Sequence, residues 1–217
     1  MTLGRDGAVD RLERLVRTVE TDPMPVPVRE VWVYGDVALG LDPIDRLDVY
    51  LTKDMLMRGD RSRAEEFEAD YGVKGVGSSV KASWADAHPE FLRANDSGYA
   101  APEKCLATHL LAEVDGEVHL EVCNASFDDN VTQRLRGAVA RDAYEEILDP
   151  RGVQLWVDGR RDEEALERLR DGTLPFPTLP AALEMLGLDA DEADEASDVM
   201  AEYRRSQTGT TVRGDVV

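Results

Sequence analysis

The apolar positions of this chain change period several times, and each change marks an element. Val9, Leu12, Val16 and Val19, with Leu15 beside them, recur at helical spacing from about Asp6 to Thr21. That stripe predicts an amphipathic helix with one buried face. Asp22-Pro23 ends it, and Pro23, Pro25 and Pro27 impose an extended lead-in, because each ring fixes φ and removes a donor. Val31-Trp32-Val33-Tyr34 is apolar on both faces, the pattern of a central strand, and Gly35 closes it. A turn or short helix from Asp36 to Leu41, closed by Gly40 and followed by Asp42-Pro43, leads to a clean alternation from Arg46 to Thr52. In that second strand Leu47, Val49 and Leu51 share one face, and Arg46, Asp48 and Tyr50 share the other.

Further along, Ser62-Arg63-Ala64-Glu65 reads as a capping box opening a helix that Gly72 closes. A glycine-rich stretch, a short helix from Pro89 to Ala94 and a polar loop from Asn95 to Pro102 follow. Cys105 to Val114 and Glu117 to Cys123 are expected to form a β-hairpin around Asp115-Gly116. Ser126 caps a helix running to about Leu148, with Val131, Leu135, Val139 and Ile147 facing inward, until Asp149-Pro150 breaks it. Val153 to Val157 is a strand ended by Asp158-Gly159, and a helix from Arg161 to Arg170 stops at Gly172. Three prolines between Thr173 and Pro180 precede two more helices, Pro180 to Leu186 and Asp191 to Arg205. This mixture predicts an α+β fold: one mixed β-sheet with flanking helices and a small helical C-terminal appendage. The divisions are a core at 1–172, a proline-rich linker at 173–180, an acidic helical appendage at 181–206 and a disordered tail at 207–217.

Charge alters this picture in one respect. The 217 residues carry 45 acids and 25 bases, a net −20 at pH 7, and only Lys53, Lys74, Lys81 and Lys104 among the bases are lysines. With 42% hydrophobic residues and clear periodicity, the acidity reads as a surface for a high-salt cytosol rather than as disorder. At molar salt it does not exclude nucleic acid as a partner. No apolar run is long enough for a membrane span, and the N-terminus lacks a secretory pattern. The expected setting is cytoplasmic, with Cys105 and Cys123 reduced.

The chemistry concentrates between Val28 and Lys53. Gly35 to Tyr50 resembles a minimal nucleotidyltransferase core, whose glycines let a phosphate approach the backbone, and the resemblance implies Gly35, Asp36 and Gly40 as cofactor-binding candidates. It likewise implies Asp48 and Glu121 as candidate catalytic carboxylates, and Asp45, Asp48 and Glu121 as candidate metal ligands. Arg46 shares a strand face with Asp48, so its guanidinium is placed where a cation would otherwise be held. Cys105, His109, His119 and Cys123 resemble a zinc set, but the expected hairpin puts them on opposite faces. Gly72 to Lys81 lacks the Gly-Lys-Ser/Thr of a phosphate loop. Trp32, Trp84 and Trp156 read as core, and His88 as a helix-entry residue. The apolar stripe of the last helix either docks on the parent domain or serves a partner.

Gly35-Asp36-Val37-Ala38-Leu39-Gly40 followed by Asp45-Arg46-Leu47-Asp48-Val49-Tyr50 resembles a degenerate minimal nucleotidyltransferase signature. That family carries Gly-Ser after the first strand and Asp-x-Asp on the second. Here Asp36 stands at the Ser position and Arg46 at the first Asp. The whole chain, including VREVWVYGDVALGLDP and RLDVYLTKD, also resembles an uncharacterised haloarchaeal family of no assigned function. Three readings follow from these resemblances. One is a non-catalytic binding or adaptor module for a protein partner, needing no cofactor. Another is a Mg²⁺-dependent nucleotidyltransferase with an altered metal site and a nucleotide ligand. The last is an unrelated α+β domain.

Overall fold

The computed structural model describes residues 3–53 except 23 and 25; residues 62, 65, 69, 80, 81, 99 and 100; and residues 102–214 except 113 and 115. The first helix, α1 (Arg5–Thr21), buries the predicted stripe. It delivers the chain to β1 (Val28–Tyr34) and then β2 (Leu47–Lys53), which pair antiparallel. Of the segment between Asp54 and Ala101, Ser62, Glu65 and Ala69 are helical, and Val80–Lys81 (β3) pairs with Tyr99–Ala100 (β4). The rest of the glycine-rich stretch, the helix expected at 89–94, Trp84 and His88 lie outside the described residues.

After this segment the structure departs from the hairpin expected at 105–123. Pro102–Leu111 is a helix, α2, and only Val118–Cys123 is a strand, β5. The run Cys-Leu-Ala-Thr-His-Leu-Leu is rich in good helix formers. It buries Cys105 to Thr108, Leu110 and Leu111, on more than one side of the helix and without the alternation of a strand. Gly116, at φ +97°, turns the chain from α2 into β5. β5 then pairs with β2 in parallel, which requires a crossover and not a two-residue turn.

Ser126 caps α3 (Phe127–Arg141) by accepting from the Asp129 N–H. This helix stops seven residues before the expected end, at Asp142 in the left-handed region (φ 55°). A 3₁₀ turn, Tyr144–Glu146, carries Ile147 back into the core, while Val139 is exposed. β6 (Val153–Val157) and β7 (Arg160–Arg161) form a hairpin, whose two-residue turn is Asp158-Gly159 with both φ values positive. α4 (Glu163–Asp171) follows and ends at Gly172. α5 (Leu179–Met185) and α6 (Ala190–Ser206) come next. The tail expected to be disordered contains β8 (Thr211–Arg213), which pairs in parallel with β5.

The main sheet has the order β7-β6-β1-β2-β5-β8. On one face Val33, Val49, Leu120 and Leu155 pack with Leu12, Val16, Leu106, Leu166 and Leu169 from α1, α2 and α4. On the other, Tyr34, Tyr50 and Cys123 pack with Phe127 and Val131 of α3, and Phe127 stacks on Trp32 at 4.7 Å. A third cluster joins the outer side of α3 to α5 and α6 through Leu135, Ala138, Leu183, Ala193 and Ala196. The α+β class expected from the pattern is therefore the one observed, but both faces of β2 are buried.

Candidate functional site

The site lies on the α3 face of the sheet, near the turn that follows β1. Strand register sets it out in two rows. Tyr34 pairs with Asp48, Asp48 with His119 and His119 with Thr211, so these four residues cross β1, β2, β5 and β8. The neighbouring row runs Trp32, Tyr50, Glu121 and Arg213. Asp48 and Glu121 thus share a face, but His119, not Glu121, stands beside Asp48.

Asp48 is fully buried, and both of its oxygens accept from guanidinium groups. Arg46 Nε donates to Oδ1 at 2.8 Å and Arg46 Nη2 lies 2.7 Å from the same oxygen. Arg204 Nη2 donates to Oδ2 at 2.6 Å. Arg204 comes from the end of α6 and also donates through Nη1 to Asp36 Oδ1 at 2.5 Å. One guanidinium therefore spans two buried carboxylates, one from β2 and one from the turn after β1. Burial works against the charge on Arg204, but Asp48 and Asp36 outweigh it and hold the pKa above its ordinary value. The other oxygen of Asp36 accepts from the Asp45 backbone N–H at 3.1 Å, so Asp45 enters the site through its main chain.

Glu121 forms the second centre. It pairs with Arg134 of α3, which is itself buried, and lies 3.1 Å from His119 Nε2 and 3.4 Å from the Tyr34 hydroxyl. Desolvation raises its pKa, but the contacts with His119 and Arg134 prevail and bring it down to about 2. Burial, reinforced by Glu121, raises the pKa of Tyr34 and keeps that hydroxyl a donor. His119 Nδ1 lies 2.6 Å from Thr211 Oγ1, which ties β8 to this network.

The glycine candidates have structural duties here. Gly35, at φ +70°, lies so close to Asp48 that a Cβ would come within 2.4 Å of Oδ2. Gly40, also at φ +70°, meets the Gly172 backbone, where a Cβ would be 3.1 Å from the carbonyl oxygen. Both requirements are met by packing within the chain. Cys105 and Cys123 belong to core clusters on opposite faces of the sheet, and His109 lies near Asp22 on the α1 side. The zinc set is thus divided, though by a helix and a strand rather than by hairpin faces. Among the described residues no group of three or more His, Cys, Asp or Glu gathers to hold a metal. Trp156 is buried in the core as expected.

Beside these centres opens a cleft of about 620 Å³, lined by the Gly35 turn, His119, Glu121 and residues 198–207 of α6 and its exit, with Arg151 and Arg213 at its sides. Two of the organising residues, Arg134 and Arg204, were not among the sequence candidates. Arg134 carries one signal: with Asn130 it lies on the same helical stripe as Val131, Leu135 and Ala138, where a polar residue needs a buried partner. Arg204 reads in sequence as a basic residue suited to a helix C-terminus, and nothing local marks its long-range role.

Fold and site together define an α+β protein whose central carboxylates are neutralised by arginines of the same chain. The chain belongs to a family of unknown function, DUF7095, whose model matches residues 4–217. No curated protein and no solved structure matches it. Among the described residues no helix is long and apolar enough to cross a membrane.

Proposed function

We propose that this chain is a non-catalytic binding or adaptor module for another protein, built on a nucleotidyltransferase-like scaffold whose cation positions have passed to arginine. The observation that carries the reading is the pair of guanidinium groups on Asp48. Metal-dependent phosphoryl transfer needs carboxylate oxygens presented to divalent ions. Here each Asp48 oxygen already accepts from an arginine, one of them Arg46 at the position of the missing first Asp. Asp36, at the position where the resembling family keeps Ser, is bound to Arg204. Glu121 is engaged by Arg134 and His119. A transferase using Asp45, Asp48 and Glu121 would first have to strip these contacts from buried carboxylates, which is costly. A module of this kind requires no Mg²⁺. The antiparallel neighbours β1 and β2 and the glycine turn between them support the scaffold part of the proposal. The acidic excess supports a cytosolic, high-salt and haloarchaeal setting.

Thermal unfolding at molar KCl tests this directly. A ligand that binds the native state raises the melting temperature by linkage. Nucleoside triphosphates with Mg²⁺ or Mn²⁺ are expected to leave it unchanged. A triphosphate-dependent rise that needs the metal overturns the reading in favour of a transferase with an altered metal site.

A further inference from the structure

The segment from Arg204 to Arg213 lies along the cleft and onto the edge of the sheet, and it is held there almost entirely by polar contacts. Arg204 bridges Asp36 and Asp48, and Gln207 accepts from Arg46 at 3.2 Å. The Gly209 N–H donates to Glu117 at 3.0 Å, and Thr211 to Arg213 extend the sheet beside β5. Every residue of the segment is exposed or half-buried. Its receptors Asp36, Asp48, His119 and Glu121 are buried. Val212 is the segment's one aliphatic side chain, and it is only partly buried against the core. Upstream, α6 is anchored differently, by Ala193 and Ala196 packed against Leu135, Ala138 and Leu183. Withdrawing Arg204 from the buried carboxylates is costly unless another guanidinium takes its place, whereas the rest of the segment, held by more exposed polar contacts, opens locally at lower cost than a core-anchored one.

This is the arrangement of a ligand in a preformed groove. The receptor side combines an ionic pocket with a strand edge, the two elements of recognition by strand addition. The pocket selects for arginine, because a planar fork can donate to two carboxylates at once and a single ammonium matches that geometry poorly. The spacing is set as well, since Arg204 precedes Thr211 by seven residues.

We infer that the Asp36–Asp48 pocket and the β5 edge form a docking surface for an arginine-bearing segment of a partner protein, with the arginine at a helix end and a short strand after it, and that residues 204–213 occupy this surface in cis as a built-in competitor. The inference rests on the binding-module reading and supplies the chemistry of its partner. The tethered segment has the advantage of effective concentration, so a free segment binds well only when the cis copy is weakened.

The probe is a fluorescein-labelled peptide of the chain's own residues 200–214, titrated by fluorescence polarisation into the full-length protein at molar KCl. The Arg204→Gln protein is expected to bind it at least about tenfold more tightly than wild type, since its own segment has lost the bridging guanidinium. A peptide carrying Gln at the Arg204 position should lose that gain. Arg204→Lys serves as a second protein, retaining a positive charge for the buried carboxylates while giving up the fork. It should fall between the other two. Equal affinity of the wild-type and variant proteins, or of the two peptides, overturns the inference. Failure here is separable from failure of the parent reading. A metal-dependent triphosphate shift removes the binding module itself, whereas inert triphosphates with arginine-independent peptide binding leave the module and remove this surface.

Discussion

Glu121→Gln is expected to lower the unfolding free energy by about 3–5 kcal/mol, the usual cost of removing one partner from a buried ion pair. The substitution preserves shape and removes only charge. Arg134 would then keep its guanidinium inside the protein opposite a neutral amide, with the Cys123 thiol at 3.6 Å as its other neighbour. Solvent cannot compensate, because both side chains are more than nine-tenths buried. The same carboxylate gives wild type a distinctive acid limb. The Glu121 pKa is about 2 in the folded protein against an ordinary 4.5. A folded value below the unfolded one adds stability that is complete above the unfolded pKa and is lost as pH falls toward the folded one. Wild type should therefore lose stability between pH 4.5 and about 2, and the variant should lack this component. Urea unfolding at about pH 7 and about pH 3 reads both effects, with the wild-type advantage shrinking at the lower pH.

Asp48→Asn is expected to cost about 2–4 kcal/mol, again in urea unfolding, and to loosen a remote part of the chain. Two guanidinium groups lose their common anion. Arg46 retains Gln207, and Arg204 retains Asp36. Because Arg204 lies 156 residues away in sequence, the effect should travel to residues 204–213. Hydrogen exchange should quicken there and in β8, while α1 and β1 stay protected. A substitution that destabilised the sheet uniformly, without selective opening of that segment, would contradict the coupling.

Much of the fold was legible because it follows from local pattern. The α1 stripe, the doubly apolar β1, the Ser126 cap and the stop at Gly172 each carry their physics within a few residues. The hairpin at 105–123 failed for an identifiable reason. Asp115-Gly116 carries the turn chemistry of a two-residue hairpin, but the preceding Leu- and Ala-rich run gains more by burying a helix against α1 and the sheet. The same dipeptide type does make a hairpin at Asp158-Gly159, where β-forming residues precede it. The site was half legible. Arg46 was expected inside the second strand and lies just before β2 (Leu47–Lys53), yet its two-residue spacing from Asp48 is enough to bring the pair together. Arg134 and Arg204 meet Glu121 and Asp48 only through tertiary structure, and Arg204 had a sufficient local explanation in the helix dipole. Burial of the polar face of β2 was likewise invisible, because alternation predicts a half-exposed strand and does not reveal that α3 covers it. Tyr50 shows the consequence: its hydroxyl donates to the Ala125 carbonyl and accepts from Asn130, both from the chain that covers the face.

The central claim is that arginines of this chain hold the cation positions around Asp48. A crystal structure grown in MnCl₂ with a nonhydrolysable triphosphate tests it most directly, because manganese is located by its anomalous scattering. No manganese is expected at Asp48, whose carboxylate keeps both Arg46 and Arg204. Manganese coordinated by Asp48, with Arg204 displaced toward solvent, would contradict it.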